Sequence, residues 1–146
     1  MLTLDVMPID AAIPGFSNRW YREALSTAVM LRVGRGASIR AITAPCFLGT
    51  KFEAFRGRGK NDYFSCPDLE DFVSVVDGRL WLLDEVRITP APLRTYLAEA
   101  ARSLLKEARF LDALPGYLLP DEASQARVGQ IITKLERLES LGSREK

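Results

Sequence analysis

The chain has no histidine, only two cysteines and no long apolar run in its 146 residues. Without histidine, neither a Ser-His-Asp nor a Cys-His nucleophile system can be assembled, nor a His-x-x-His zinc site. Acid–base and metal chemistry is left to Asp, Glu, Lys, Tyr and Cys. Cys46 and Cys66 fall outside any Cys-x-x-Cys spacing, which excludes a zinc knuckle and a dithiol redox motif. A lone pair in a chain of this size reads as two reduced thiols of a cytoplasmic protein. An excess of one charge is also lacking. Lys and Arg number 20 against 19 Asp and Glu, a formal net charge of +1, so no global field draws the chain onto nucleic acid or anionic lipid. Nowhere do eighteen apolar residues run together, so no membrane span is expected. The first thirty residues carry Asp5 and Asp10 early and lack the pattern of a secretory signal.

What is present suits a globular core: 47% of the residues are apolar, and the length predicts a single domain over residues 1–146. Leu2, Leu4 and Val6 alternate with Thr3, Asp5 and Met7 until Pro8, a period of two that predicts a strand. Residues 8–26 read as a loop with a short helical turn around Trp20, Tyr21, Ala24 and Leu25. Residues 27–43 read as a hairpin, with Val29, Leu31 and Val33 on one face and Gly34-Arg35-Gly36 as the turn. From Pro45 a helix is predicted to about Arg56, with Gly57 as a left-handed cap. Residues 57–67 form a basic loop. Beyond Pro67 the apolar spacing is helical. One stripe is Leu69, Phe72, Val73 and Val76; another runs from Leu93 through Leu97, Ala100 and Leu104 to Ala108. A last helix from about Asp121 carries Val128, Ile131, Leu135 and Leu138. The expected fold is α+β: a small antiparallel sheet within 1–44, the N-terminal strand plus the hairpin, then mainly helices over 45–141. An unpaired strand edge at residues 2–7 further predicts a homodimer through that strand or the apolar surface beside it.

Few polar residues stand out. Asp5 projects from mid-strand on the face opposite Leu2, Leu4 and Val6, either as a solvated aspartate or as a metal ligand or general base on a rigid element. Lys51 shares a helical row with Phe47 and Phe55, so a lysine sits on an apolar side. Either its stem packs while the ammonium reaches water, or it is a cleft lysine aimed at a phosphate. Arg56, Arg58 and Lys60 lie among glycines that let backbone amides approach an anion, although a solvated basic loop has the same composition. Asp68, after Pro67, reads as a helix N-cap, with Glu70 and Asp71 favourable to the helix dipole. Asp62 has no such structural explanation in the spacing and is the better functional candidate. The remaining Phe and Trp residues read as core.

The segment Phe47-Leu48-Gly49-Thr50-Lys51-Phe52-Glu53-Ala54-Phe55-Arg56-Gly57-Arg58-Gly59-Lys60-Asn61-Asp62-Tyr63, followed by Asp68-Leu69-Glu70-Asp71, resembles the signature of the abortive-infection nucleotidyltransferases, the AbiEii/AbiGii type of bacterial type IV toxin. That family shows a helix with a Thr-Lys-x-x-Ala core, then an Arg, a basic residue shortly before an Asp, and then Asp-Leu. The stretch Leu4-Asp5-Val6-Met7-Pro8, with Phe16-Ser17-Asn18-Arg19-Trp20-Tyr21 after it, is similar to the family's third catalytic strand and its continuation. The resemblance implies a nucleotidyltransferase-like fold that transfers a nucleotide from an NTP, with Mg²⁺, to an acceptor, RNA being the expected one. It places Lys51 at the nucleotide phosphates, Arg56, Arg58 and Lys60 along the phosphate or RNA side, Asp62 as the motif acid and Asp5 as a metal-binding carboxylate. It also implies an antitoxin protein as partner. The superfamily binds two metal ions with three carboxylates, two of them from an Asp-x-Asp strand after a Gly-Ser loop. Here Gly142-Ser143 lies in the tail and no Asp-x-Asp occurs. The expectation is the C-terminal part of such an enzyme, inactive alone, or a split enzyme completed by another chain. The reading from a different class is a non-catalytic interaction module that binds an antitoxin or another protein.

Overall fold

The computed structural model describes Ala12 and residues 17–143. The strand expected at residues 2–7, and the candidate Asp5 within it, lie outside the described residues. A short helix, α1 (Tyr21–Ser26), leads into strands β1 (Val29–Val33) and β2 (Ala37–Ala41), which pair antiparallel with Val29 opposite Ala41, Leu31 opposite Ile39 and Val33 opposite Ala37. The predicted turn is there for the predicted reason. Gly34 and Gly36 adopt φ of +62° and +93°, where a Cβ is strained. Every regular element after the hairpin, among the described residues, is helical, so the architecture is α+β with a two-stranded antiparallel sheet followed by a helical C-terminal half. No helix among the described residues is long and apolar enough to cross a membrane.

Helix α2 (Ala44–Arg58) takes Pro45 in its first turn, where a missing N–H leaves nothing unsatisfied. The predicted left-handed cap at Gly57 is wrong. The helix runs through Gly57 to Arg58, and the left-handed conformation falls on Lys60 and Asn61, at φ 49° and 56°. The glycine that matters is Gly59, for another reason. Its N–H donates to the Phe55 carbonyl at 2.8 Å, and a Cβ there would lie 2.4 Å from that oxygen. Close approach, not handedness, selects glycine.

The helical half continues with α3 (Pro67–Gly78), α4 (Leu82–Arg87), α5 (Ala91–Leu105), α6 (Ala108–Ala113), a 3₁₀ turn at Leu114–Tyr117, α7 (Glu122–Gln125), α8 (Val128–Ser140) and a closing turn at Leu141–Ser143. The stripe expected to run unbroken to Ala108 is interrupted at Lys106, and Ala108 opens α6, where the Glu107 carboxylate accepts from the Arg109 amide. The last helix likewise begins in two pieces: Asp121 caps α7 by accepting from the Ser124 amide, and the periodic stripe belongs to α8. Helix α4 escapes sequence reading because six residues are too few to show a period, although Leu82 and Val86 are buried.

Helix α5 organises the core. It lies against α2 and α8, and α3 packs on the same two partners. Leu93, Leu97, Ala100 and Leu104 are buried as the stripe predicts, facing Phe72, Phe110, Ile131 and Leu135. Each such large side chain contributes roughly 1.5–3 kcal/mol of burial. Phe52 and Tyr96 join Trp20, Phe55 and Phe72 in an aromatic cluster. Trp81, expected in the core, is 68% exposed, and Phe64 of the loop is 62% exposed. The sheet is not core either. All of β1 is exposed, as is β2 up to Arg40.

Candidate functional site

Lys51 and Arg58 are seven residues apart on α2, two turns, and so share one face. Asp68 and Asp71, three apart at the start of α3, share the face that meets it. Packing of α2 on α3 closes these four groups into one ionic cluster. Arg58 holds Asp68 in a fork, Nε to Oδ2 at 2.9 Å and Nη2 to Oδ1 at 3.0 Å. The Lys51 ammonium reaches Asp68 Oδ1 at 3.3 Å and Asp71 Oδ2 at 2.6 Å. It also sits 5.4 Å from the centre of the Phe47 ring, on the apolar row expected of it.

Burial is graded across the cluster. The Asp68 side chain is 8% exposed and Lys51 25%, whereas Asp71 and Arg58 keep 48% and 60%. Burial works against the Asp68 charge, but Arg58 and then Lys51 outweigh it and hold the carboxyl below the ordinary carboxylate range. Burial likewise opposes the Lys51 charge, and Asp71 and Asp68 outweigh it, so the ammonium is held more firmly than in water. Asp68 and Lys51 are therefore held in their charged forms, and the formal charges of the two cations and two acids sum to zero.

Asp68 is thus not the N-cap of α3. The cap position is Cys66, with no side-chain bond, and Asp68 turns sideways to α2 instead. Lys51 follows neither sequence alternative as stated, since its ammonium ends on two carboxylates rather than in open water or an unclaimed cleft.

The other candidates go elsewhere. Asp62 has a structural explanation after all: its Oδ1 accepts from the amides of Phe64 and Ser65 at 3.0 and 2.9 Å, closing the loop on itself. Lys60 is exposed in the left-handed stretch. Arg56 points off the ionic face into a groove of about 410 Å³ shared with Asn61, Tyr96, Glu99 and Ser103. Beside it the Tyr96 hydroxyl donates to the Glu53 carboxylate, and burial, with Glu53 beside it, pushes that hydroxyl well above its ordinary value. The loop is tethered from the far side by Tyr117, whose hydroxyl donates to the Tyr63 carbonyl and is pushed up to about 12 by burial.

Sequence reasoning therefore found the two cations and missed their anions. The i, i+3 spacing of Asp68 and Asp71 was the available signal, masked by the better-known role of acids in a helix's first turn. For a divalent cation the fit is poor. Among the described residues, no three His, Cys, Asp or Glu side chains gather as a ligand set, and both Asp68 oxygens are already engaged. Comparison with protein-family models, with curated proteins and with solved structures finds no match to this chain.

Proposed function

We propose that the chain is a nucleotidyltransferase-like protein of the abortive-infection toxin type, cytoplasmic, that binds nucleotide phosphates at the α2–α3 cluster and transfers nothing by itself. One observation supports this reading: Lys51, Arg58, Asp68 and Asp71, the charged residues at the two ends of the resembling segment, converge on one partly exposed spot. A phosphate competes there with Asp71 for the Lys51 ammonium. Asp71 is the replaceable arm because it is half exposed and regains water on leaving. Asp68 stays, pinned by Arg58. Since no three His, Cys, Asp or Glu side chains gather among the described residues, metal-dependent transfer to RNA draws on further carboxylates, Asp5 being the candidate within this chain.

The test is a titration of ATP, CTP, GTP and UTP, with and without Mg²⁺, into wild type, Lys51→Ala and Asp71→Asn. With one charge-assisted phosphate contact at roughly 1.5–3 kcal/mol and no metal held, a Kd of several to tens of millimolar is expected. Lys51→Ala abolishes it, and Asp71→Asn, which frees the lysine, tightens it several-fold. Equal binding by all three proteins refutes the reading, and robust transfer to RNA by the purified wild type refutes the claim of inactivity. The second reading, an interaction module for an antitoxin or other protein, is favoured by a different observation: the apolar hairpin, exposed among the described residues.

A further inference from the structure

The groove that receives Arg56 is formed by α2, α5 and the loop between α2 and α3, and its parts are sorted by depth. Phe52, Phe55 and Tyr96 are buried and make the floor. Their rings follow one another, with Phe52 6.0 Å from both Tyr96 and Phe55, and Phe55 5.1 Å from the half-buried Tyr63 of the loop. The rim is polar and exposed: Arg56 on α2, Asn61 on the loop, Glu99 and Ser103 on α5. Lys60 and Asn61 hold left-handed conformations at φ 49° and 56°, which non-glycine residues adopt at a cost, as the loop turns back to this groove. The rim also keeps unused capacity. The Arg56 guanidinium stands beside the Tyr96 hydroxyl, whose proton goes to Glu53. Neither Arg56 nor Glu99 forms an ion pair among the described residues. The Ser103 hydroxyl donates to the Ala100 carbonyl at 2.8 Å, which leaves its oxygen able to accept.

We propose that this groove binds a free α-amino acid with an aromatic side chain, the ring on the floor, the carboxylate at Arg56 and the ammonium at Glu99. Charge selects the class. One cation and one anion share a mouth without pairing with each other, so they suit a ligand that carries one charge of each sign. A phosphate ester, at about −1.5 to −2, gains Arg56 and is repelled by Glu99; a simple amine meets the reverse. The hydrogen-bonding groups fit the same assignment. A guanidinium fork takes a carboxylate through two parallel bonds. Glu99 and Ser103, four apart on α5, lie on one face and offer two acceptors to the three donors of an ammonium. Shape selects the side chain, because a floor of ring faces and edges packs another ring in offset or edge-on contact. The volume of about 410 Å³ lies toward the small end of ligand cavities. The groove is also separate from the ionic cluster: Arg56 and Arg58 are two residues apart, about 200° round α2, so they serve opposite sides of that helix.

The experiment titrates the full chain with L-phenylalanine and three relatives: phenethylamine, which lacks the carboxylate, 3-phenylpropionate, which lacks the ammonium, and N-acetylphenylalanine amide, which lacks both charges. The readout is the chemical shift of the Asn61, Ala100 and Ser103 backbone amides. Phenylalanine should move these signals saturably, and phenethylamine and 3-phenylpropionate should each bind about fivefold weaker, the loss of one well-made ion pair at a solvated rim. The uncharged amide should bind weakest. The variants then exchange the pattern. Arg56→Gln should bind phenylalanine and phenethylamine alike, and Glu99→Gln should bind phenylalanine and 3-phenylpropionate alike. Equal binding of all four compounds by wild type shows a groove that reads rings only and overturns the proposal. Groove signals unmoved by phenylalanine at tens of millimolar overturn it too, as does a wild-type preference that both variants retain. Should either variant misfold, the wild-type series decides by itself. No nucleotide enters these titrations, so this proposal and the phosphate reading stand or fall separately.

Discussion

Asp68→Asn is the substitution that weighs most directly what the ionic cluster does. The wild-type carboxylate is 8% exposed and accepts three contacts, two from Arg58 and one from Lys51. Asparagine keeps the shape, but its amide presents a donor where Arg58 Nε or Nη2 needs an acceptor. Hydrogen bonds to charged groups are worth about 1.5–3 kcal/mol when buried, but Arg58 is mostly solvated, which reduces its share to about 0.2–1 kcal/mol. Lys51 keeps Asp71. The Lys51 contact, with the lysine 25% exposed, adds about 1.5 kcal/mol, the low end of the buried range. The sum is a loss of about 2 kcal/mol, which moves the urea midpoint without changing the slope. The pH dependence identifies the cause. The Asp68 carboxyl is held below its ordinary 3.8, so the unfolded chain takes up the proton first. The stabilisation is therefore present above that value and lost as pH falls through the folded one. Urea unfolding by circular dichroism at neutral and at strongly acid pH should show the gap between wild type and Asp68→Asn closing in acid. A loss below about 0.5 kcal/mol at neutral pH, within the range of an ordinary surface change, refutes the assignment of Asp68 as the hub. A gap that persists in acid refutes the electrostatic account of it.

Phe72→Ala removes a fully buried ring that stacks on Phe52, and should cost about 3–5 kcal/mol in the same urea assay. The glycine pair after Phe55 should respond with opposite signs. Gly57→Ala meets nothing within 4 Å and should gain about 0.5–1 kcal/mol of helix propensity. Gly59→Ala drives a Cβ onto the Phe55 carbonyl and should lose about 1–3 kcal/mol; thermal unfolding of both separates the two explanations of this helix end.

Much of the fold was legible because its elements are long enough to show a period. The stripes of α3, α5 and α8 and the hairpin with its two glycines were readable from spacing alone. What failed was short or non-local. Helix α4 has six residues, and the break at Lys106 depends on Glu107 reaching Arg109, which no apolar pattern records. The site was half legible for the same reason. Lys51 was conspicuous because it interrupts an apolar row. Asp68 was not, because an acid in a helix's first turn satisfies a local rule whatever it touches across the interface. Asp62 misled in the opposite direction: its partners are the backbone amides of Phe64 and Ser65, which a side-chain pattern cannot display.

Natural sequences agree with their structures at most levels, and departures concentrate where something besides stability is selected. By that measure the α2–α3 cluster departs little. Its charges cancel, its buried acid is fully engaged, and as it stands it clamps two helices. Among the described residues the hairpin departs strongly, with an apolar face half exposed on two strands. A phosphate must displace a carboxylate to use the first feature, whereas the second is open to solvent among the described residues. Any phosphate binding at Lys51 is therefore expected to be weak and exchangeable, because Asp71 must first give way.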